Sequence, residues 1–116
     1  VAARNTNVSA LVASLPEGVT LSDRLQQVDV ARCRSLLAEA VNAPQQLLDR
    51  LGLLVKVSQV DVTDGWRCYL SDQAVVHLRL SGNAPELRVY TEALTSNAAQ
   101  ALLSQILFRL PVILAS

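Results

Sequence analysis

The sequence predicts an α+β fold, with one mainly antiparallel sheet of four strands backed by helices, and three observations lead there. The hydrophobic period shifts at Leu54 from the helical value of about 3.6 residues to the strand value of about 2. The stretch from Leu54 to Ala93 is punctuated by turn signals at Asp64-Gly65 and Ser71-Asp72-Gln73. Helical stripes stand on both sides of it. The 116 residues fit one domain, 1–116, and an apolar content of 51% with 17% charged residues supplies a core and excludes intrinsic disorder.

In chain order, Val8, Leu11, Val12 and Leu15 have helical spacing, with Asn7 as cap and Pro16 and Gly18 at the end. Val19 to Gln26 alternates weakly, as an edge strand does. Asp29 is an N-cap for a helix whose apolar stripe is Cys33, Leu36, Leu37, Ala40 and Val41. Pro44 suits the first turn of a short helix with Leu47, Leu48 and Leu51 inward, and Gly52 falls at its C-cap. Strands are expected over Leu54–Thr63, Trp66–Leu70, Ala74–Leu80 and Glu86–Ala93. On the third of these, Val76, Leu78 and Leu80 share one face, and Val75, His77 and Arg79 the other. Thr95 or Ser96 caps a last helix with the stripe Ala99, Leu102, Leu103, Ile106 and Leu110.

Ten basic and ten acidic residues cancel, so no overall field draws the chain to nucleic acid or to an anionic membrane. The most apolar stretch, Ile106 to Ala115, is interrupted by Arg109 and Pro111 and is shorter than the roughly 18 residues of a membrane span. Cys33 and Cys68 form neither a disulfide framework nor a CxxC pair; they read as buried, reduced thiols of a cytoplasmic protein. With His77 they do not make a metal set. His77 itself reads as an ordinary structural histidine, Trp66 as a core anchor, and Arg32 and Arg34 as part of a solvated helix face. Asp23 and Arg24 could face a neighbouring domain, and nothing in the sequence decides it. A chain without a single Met reads as a piece of a longer one.

The chemistry concentrates in Arg79-Leu80-Ser81-Gly82-Asn83-Ala84-Pro85-Glu86-Leu87-Arg88. A guanidinium fork ends a strand, and a hydroxyl, a glycine and an amide follow. Arg79 offers a bidentate cation suited to phosphate, Ser81 and Asn83 add donors, and Gly82 lets backbone N–H groups converge on an anion. The same residue types also build a plain turn, which leaves a stand-alone protein-interaction module with no anion site as the alternative.

Arg79 to Tyr90 resembles the phosphate-binding loop of the α-D-phosphohexomutases, the phosphomannomutase/phosphoglucomutase family, whose last domain carries an R-P-S-G-T-E-P-K-x-R-x-Y-like signature. Asp64-Gly65-Trp66, Thr91-Glu92-Ala93 and Thr20-Leu21-Ser22-Asp23-Arg24 resemble other parts of that domain, and the Gly82–Glu86 variant is most similar to the phosphomannomutase members. The resemblance implies a TATA-binding-protein-like domain, the C-terminal one of four, that grips substrate phosphate and closes the active site. It implies an enzyme interconverting hexose 1-phosphate and hexose 6-phosphate through a phosphoserine and a hexose 1,6-bisphosphate, with Mg²⁺. The partners implied are the sugar phosphate and three further domains. Arg79, Ser81, Gly82 and Asn83 match the phosphate contacts, and Arg88 matches a supporting arginine. Leu80, Asn83, Ala84 and Glu86 depart from the signature, and Glu86 sets a negative charge near the loop. T-x-S-H-N-P-like, D-G-D-x-D-R-like and G-E-x-S-G-H-like loops are absent from the sequence, so no catalytic residue and no metal ligand is expected in this chain.

Overall fold

The computed structural model describes residues 18–115; the helix expected over Val8–Leu15 lies outside them. Five strands alternate with three helices: β1 (Val19–Leu25), α1 (Val30–Asn42), α2 (Pro44–Arg50), β2 (Val57–Asp61), β3 (Trp66–Leu70), β4 (Val75–Leu80), β5 (Leu87–Ala93) and α3 (Ser96–Ala115). They form one fully antiparallel sheet in the order β1-β5-β4-β3-β2. The α+β class holds, but the sheet has five strands rather than four. The extra strand is the weakly alternating Val19–Leu25, which docks on β5 and not on a sequence neighbour. No hairpin signal marks such a pairing, because its partners lie far apart in the chain.

Local chemistry accounts for most element ends. The Asp29 carboxylate accepts from the Arg32 N–H at 3.2 Å and starts α1. Pro44 opens α2. That helix closes with paired bonds, Leu53 N–H to Leu48 O and Gly52 N–H to Asp49 O, both 3.0 Å, a Schellman motif. Of the two caps considered for α3, Thr95 is the one used: its hydroxyl accepts from the Ala98 N–H at 3.1 Å. The second expected strand begins late, at Val57, because the Gln45 side chain takes the Val55 carbonyl and the Val57 N–H, each at 2.9 Å, in place of a ladder.

All three helices cover one face of the sheet, where Trp66, Cys68, Val76, Leu78, Leu87 and Val89 are fully buried with Cys33, Leu48, Leu51, Ala99, Ile106 and Leu110. Removing each large apolar side chain from water contributes about 1.5–3 kcal/mol. Trp66 is the anchor the sequence suggested, and its indole N–H is satisfied by the Ala40 carbonyl at 3.0 Å. Val41, expected on the inner stripe of α1, is instead exposed in the helix's final turn. Helix α3 runs through Arg109 and Pro111 to Ala115, further than its sequence suggested. By length and composition it could span a membrane, yet here its stripe Ala99, Leu103, Ile106, Leu110 and Ile113 is buried against the fold. Both thiols are buried and free. Burial, then the charge of Asp29, raises the Cys33 pKa, and burial pushes Cys68 up to about 12.

Candidate functional site

The face opposite the helices carries the polar half of each strand's alternation. Register fixes which side chains meet there. Arg24 on β1 lies opposite Arg88 on β5, and Arg88 lies opposite Arg79 on β4, so three guanidinium groups form one cross-strand row. The next row runs Ser22, Tyr90, His77, Arg67 and Asp61 across all five strands. Like charges placed directly opposite one another are unfavourable in a sheet unless counter-charge is supplied. Part of it comes from Glu86, whose carboxylate stands 3.8 Å from Arg24 and 4.0 Å from Arg88. That placement answers the charge the sequence raised at Glu86. The side chain is mostly buried beside these arginines and is not part of the wall of the loop cleft.

The loop between β4 and β5 is closed by the Ser81 N–H to Glu86 O bond at 2.9 Å, and the Glu86 N–H returns to Ala84 O at 2.8 Å. Inside it the Asn83 N–H donates to the Ser81 hydroxyl at 3.3 Å, a local turn closed by the Ser81 side chain. Gly82 has no positive φ, and a Cβ placed there would meet open space. What glycine leaves at this tip is room for close approach.

Arg79 is held from two sides. Its guanidinium is 3.3 Å from the Asp64 carboxylate and 3.1 Å from the Tyr90 hydroxyl, and lies 5.8 Å from the Tyr90 ring centre. Asp64 belongs to the β2–β3 turn. That turn presses against β4 so closely that a Cβ at Gly65, whose φ is +82°, would stand 2.5 Å from the Leu78 carbonyl oxygen. Only glycine fits there. Arg88 is less fully satisfied: its Nε is buried and has no hydrogen-bond partner among the described residues.

Arg79, Ser81, Gly82, Asn83 and Arg88, the five residues singled out in the sequence, line one cleft of about 550 Å³ together with Leu37, Asp64, Gly65 and Leu80. Arg88 also borders a second hollow of about 270 Å³ formed with Ser22, Asp23, Arg24 and Tyr90. Sequence reasoning missed three participants. Asp64, Tyr90 and Arg24 were read as parts of a turn or of resembling segments, and none was named as a site residue. The signal for Tyr90 was available, since it alternates with Arg88 on one strand; Arg24 joins them only through pairing.

A family model described as phosphoglucomutase/phosphomannomutase, C-terminal domain, matches residues 24–107. The chain belongs to that family, as its C-terminal domain. A phosphomannomutase of Salmonella muenchen is 38% identical over 91 residues, covering 78% of this chain and 19% of the relative. A phosphomannomutase of Sinorhizobium fredii is 34% identical over 100 residues, covering 86% of this chain and 21% of the relative. The chain thus spans about a fifth of the length of these curated relatives.

Proposed function

We propose that this phosphohexomutase domain grips the phosphate of a hexose phosphate through Arg79, Ser81, Gly82, Asn83 and Arg88, and closes over an active site formed by other domains of one enzyme. The observation that carries the reading is the row of Arg24, Arg88 and Arg79 in direct register beside a donor-rich loop. A sheet gains nothing from stacking three cations, whereas a dianionic phosphoryl group has the charge to occupy such a row. The orphaned Nε of Arg88 fits the same reading, as a donor awaiting an acceptor.

On this reading the whole enzyme is a cytoplasmic phosphomannomutase, interconverting hexose 1-phosphate and hexose 6-phosphate through a hexose 1,6-bisphosphate. The helices on one face and the open opposite face suit the TATA-binding-protein-like arrangement. The Mg²⁺ of the reaction is, on this reading, held by other domains of the enzyme, and no step here runs through it. What this chain contributes is charge-assisted binding, orientation of the transferred group and exclusion of water on closure. The isolated 116-residue chain is therefore expected to show no mutase activity.

The test is a titration of the chain with inorganic phosphate and with mannose 1-phosphate, following the amide resonances of Ser81, Gly82 and Asn83. Binding in the millimolar range, about −4 kcal/mol, is expected from one loop without its partner domains. If saturating ligand moves other regions and leaves these amides unshifted, the loop is only a turn and the interaction-module reading replaces this one.

A further inference from the structure

Arg79 is held by two anchors that come from different parts of the chain. Asp64 sits on an exposed turn with its side chain 64% exposed, and the Tyr90 hydroxyl moves with its ring. One side chain touches both. His77 Nε2 bonds to the main-chain oxygen of Asp64, and the imidazole lies 5.2 Å from the Tyr90 ring, tilted by 31°. A carbonyl only accepts, so Nε2 is the protonated nitrogen and the donor. Being two residues before Arg79 on β4, His77 points to the same face. Gly65 lets the turn come near enough for the bond to form.

We propose that His77 is a positioning residue: its hydrogen bond to the Asp64 carbonyl holds that turn in place beside Tyr90 and so sets the guanidinium of Arg79 before any anion arrives. The proposal rests on the phosphate reading above. The contacts form a closed circuit, His77 to Asp64, Asp64 to Arg79, Arg79 to Tyr90 and Tyr90 back to His77. A long arginine side chain ordered in advance has less freedom left to lose on binding, which is how preorganisation raises affinity. His77 is not among the residues lining the cleft, so the role assigned to it is positioning.

Two substitutions separate the parts. His77→Phe keeps a ring against Tyr90 and removes the donor; His77→Gln keeps an N–H at similar reach. In the 116-residue chain, the phosphate Kd is expected to weaken about fivefold in His77→Phe and to return within about twofold of wild type in His77→Gln, the scale of one net hydrogen bond. The Arg79 Nε–H resonance gives a ligand-free readout, rigid in the wild type and in His77→Gln and mobile in His77→Phe. Wild-type affinity and a rigid Arg79 in His77→Phe overturn the proposal, as does a folded His77→Gln that restores neither. If His77→Phe does not fold, His77→Asn, too short to reach the Asp64 carbonyl, takes its place with the same expectations. A wild-type chain whose loop ignores phosphate overturns the phosphate reading alone, and the Arg79 resonance still decides the positioning.

Discussion

The two faces of the sheet are built from alternate residues of the same strands, yet they obey different rules. On the covered face Trp66, Cys68, Val76, Leu78, Leu87 and Val89 are sealed beneath the helices, and each is replaceable only by something of like volume. On the open face the polar side chains are partly exposed and make directed contacts: Arg79 and His77 with Tyr90, Arg24 and Arg88 with Glu86, and Arg67 with Glu92. Even its one sealed apolar residue, Val75, has Tyr69 and Glu92 as its register neighbours. The covered face fixes where each strand lies; the open face uses that placement to collect like charges that an unaided surface would keep apart. If the open face binds phosphate as proposed, stability and binding are separable in this domain.

The separation has measurable limits. Trp66→Ala, on the covered face, is expected to cost about 3–5 kcal/mol through the cavity and the lost indole bond, a large fraction of a small domain's stability. Thermal unfolding checks this, and the folded fraction should still bind phosphate. Arg79→Ala in the complete enzyme should do the reverse. Loss of charge-assisted bonds of about 1.5–3 kcal/mol weakens substrate-phosphate binding roughly 10- to 150-fold, with the unfolding midpoint nearly unchanged. A fall of several degrees in that midpoint would join the two faces and break the contrast.

A weaker effect belongs to the thiols. Cys68 has its pKa raised by burial, from an ordinary 9.0 to about 12, so the unfolded chain releases this proton first. Its contribution to stability is full below 9.0 and is lost as pH rises through the interval to about 12. Denaturant unfolding across alkaline pH should show that decline, and native Cys33 and Cys68 should resist thiol reagents; rapid labelling would mean the covered face opens readily. The smallest effect expected is Glu86→Gln. Releasing Arg24 and Arg88 from their carboxylate should tighten phosphate binding about two- to fivefold, since ion pairs this long and this near solvent are weak. Unchanged affinity would mean that Arg24 and Arg88 do not reach the ligand.

The covered face was legible in the sequence because burial writes itself as a period. Cys33, Leu36 and Ala40 at helical spacing, and Trp66, Cys68 and Leu70 at strand spacing, went where their pattern put them. Asp29, Pro44 and the Asp64-Gly65 turn were legible because caps and turns are local chemistry. The open face was readable only where the candidate site runs along one strand or loop, as from Arg79 to Arg88. Arg24 was not, since nothing in Thr20–Arg24 states that β1 docks beside β5, and pairing register is what joins that arginine to the row. His77 escaped for a similar reason: its partners arrive from a turn before it and a strand after it.

The pairing of β1 with β5 also has a kinetic side. Strands β2 to β5 are joined by short connections and zip as successive hairpins, whereas the Thr20–Glu92 contact closes a loop of 72 residues. Closing so long a loop before its contacts form is entropically unfavourable, which places β1 late in assembly and among the first segments to detach. Its amides are therefore expected to exchange with deuterium faster than those of β4 and β5. Each such detachment carries Arg24 away from Glu86, so the third cation of the row is present only as often as an edge strand is closed.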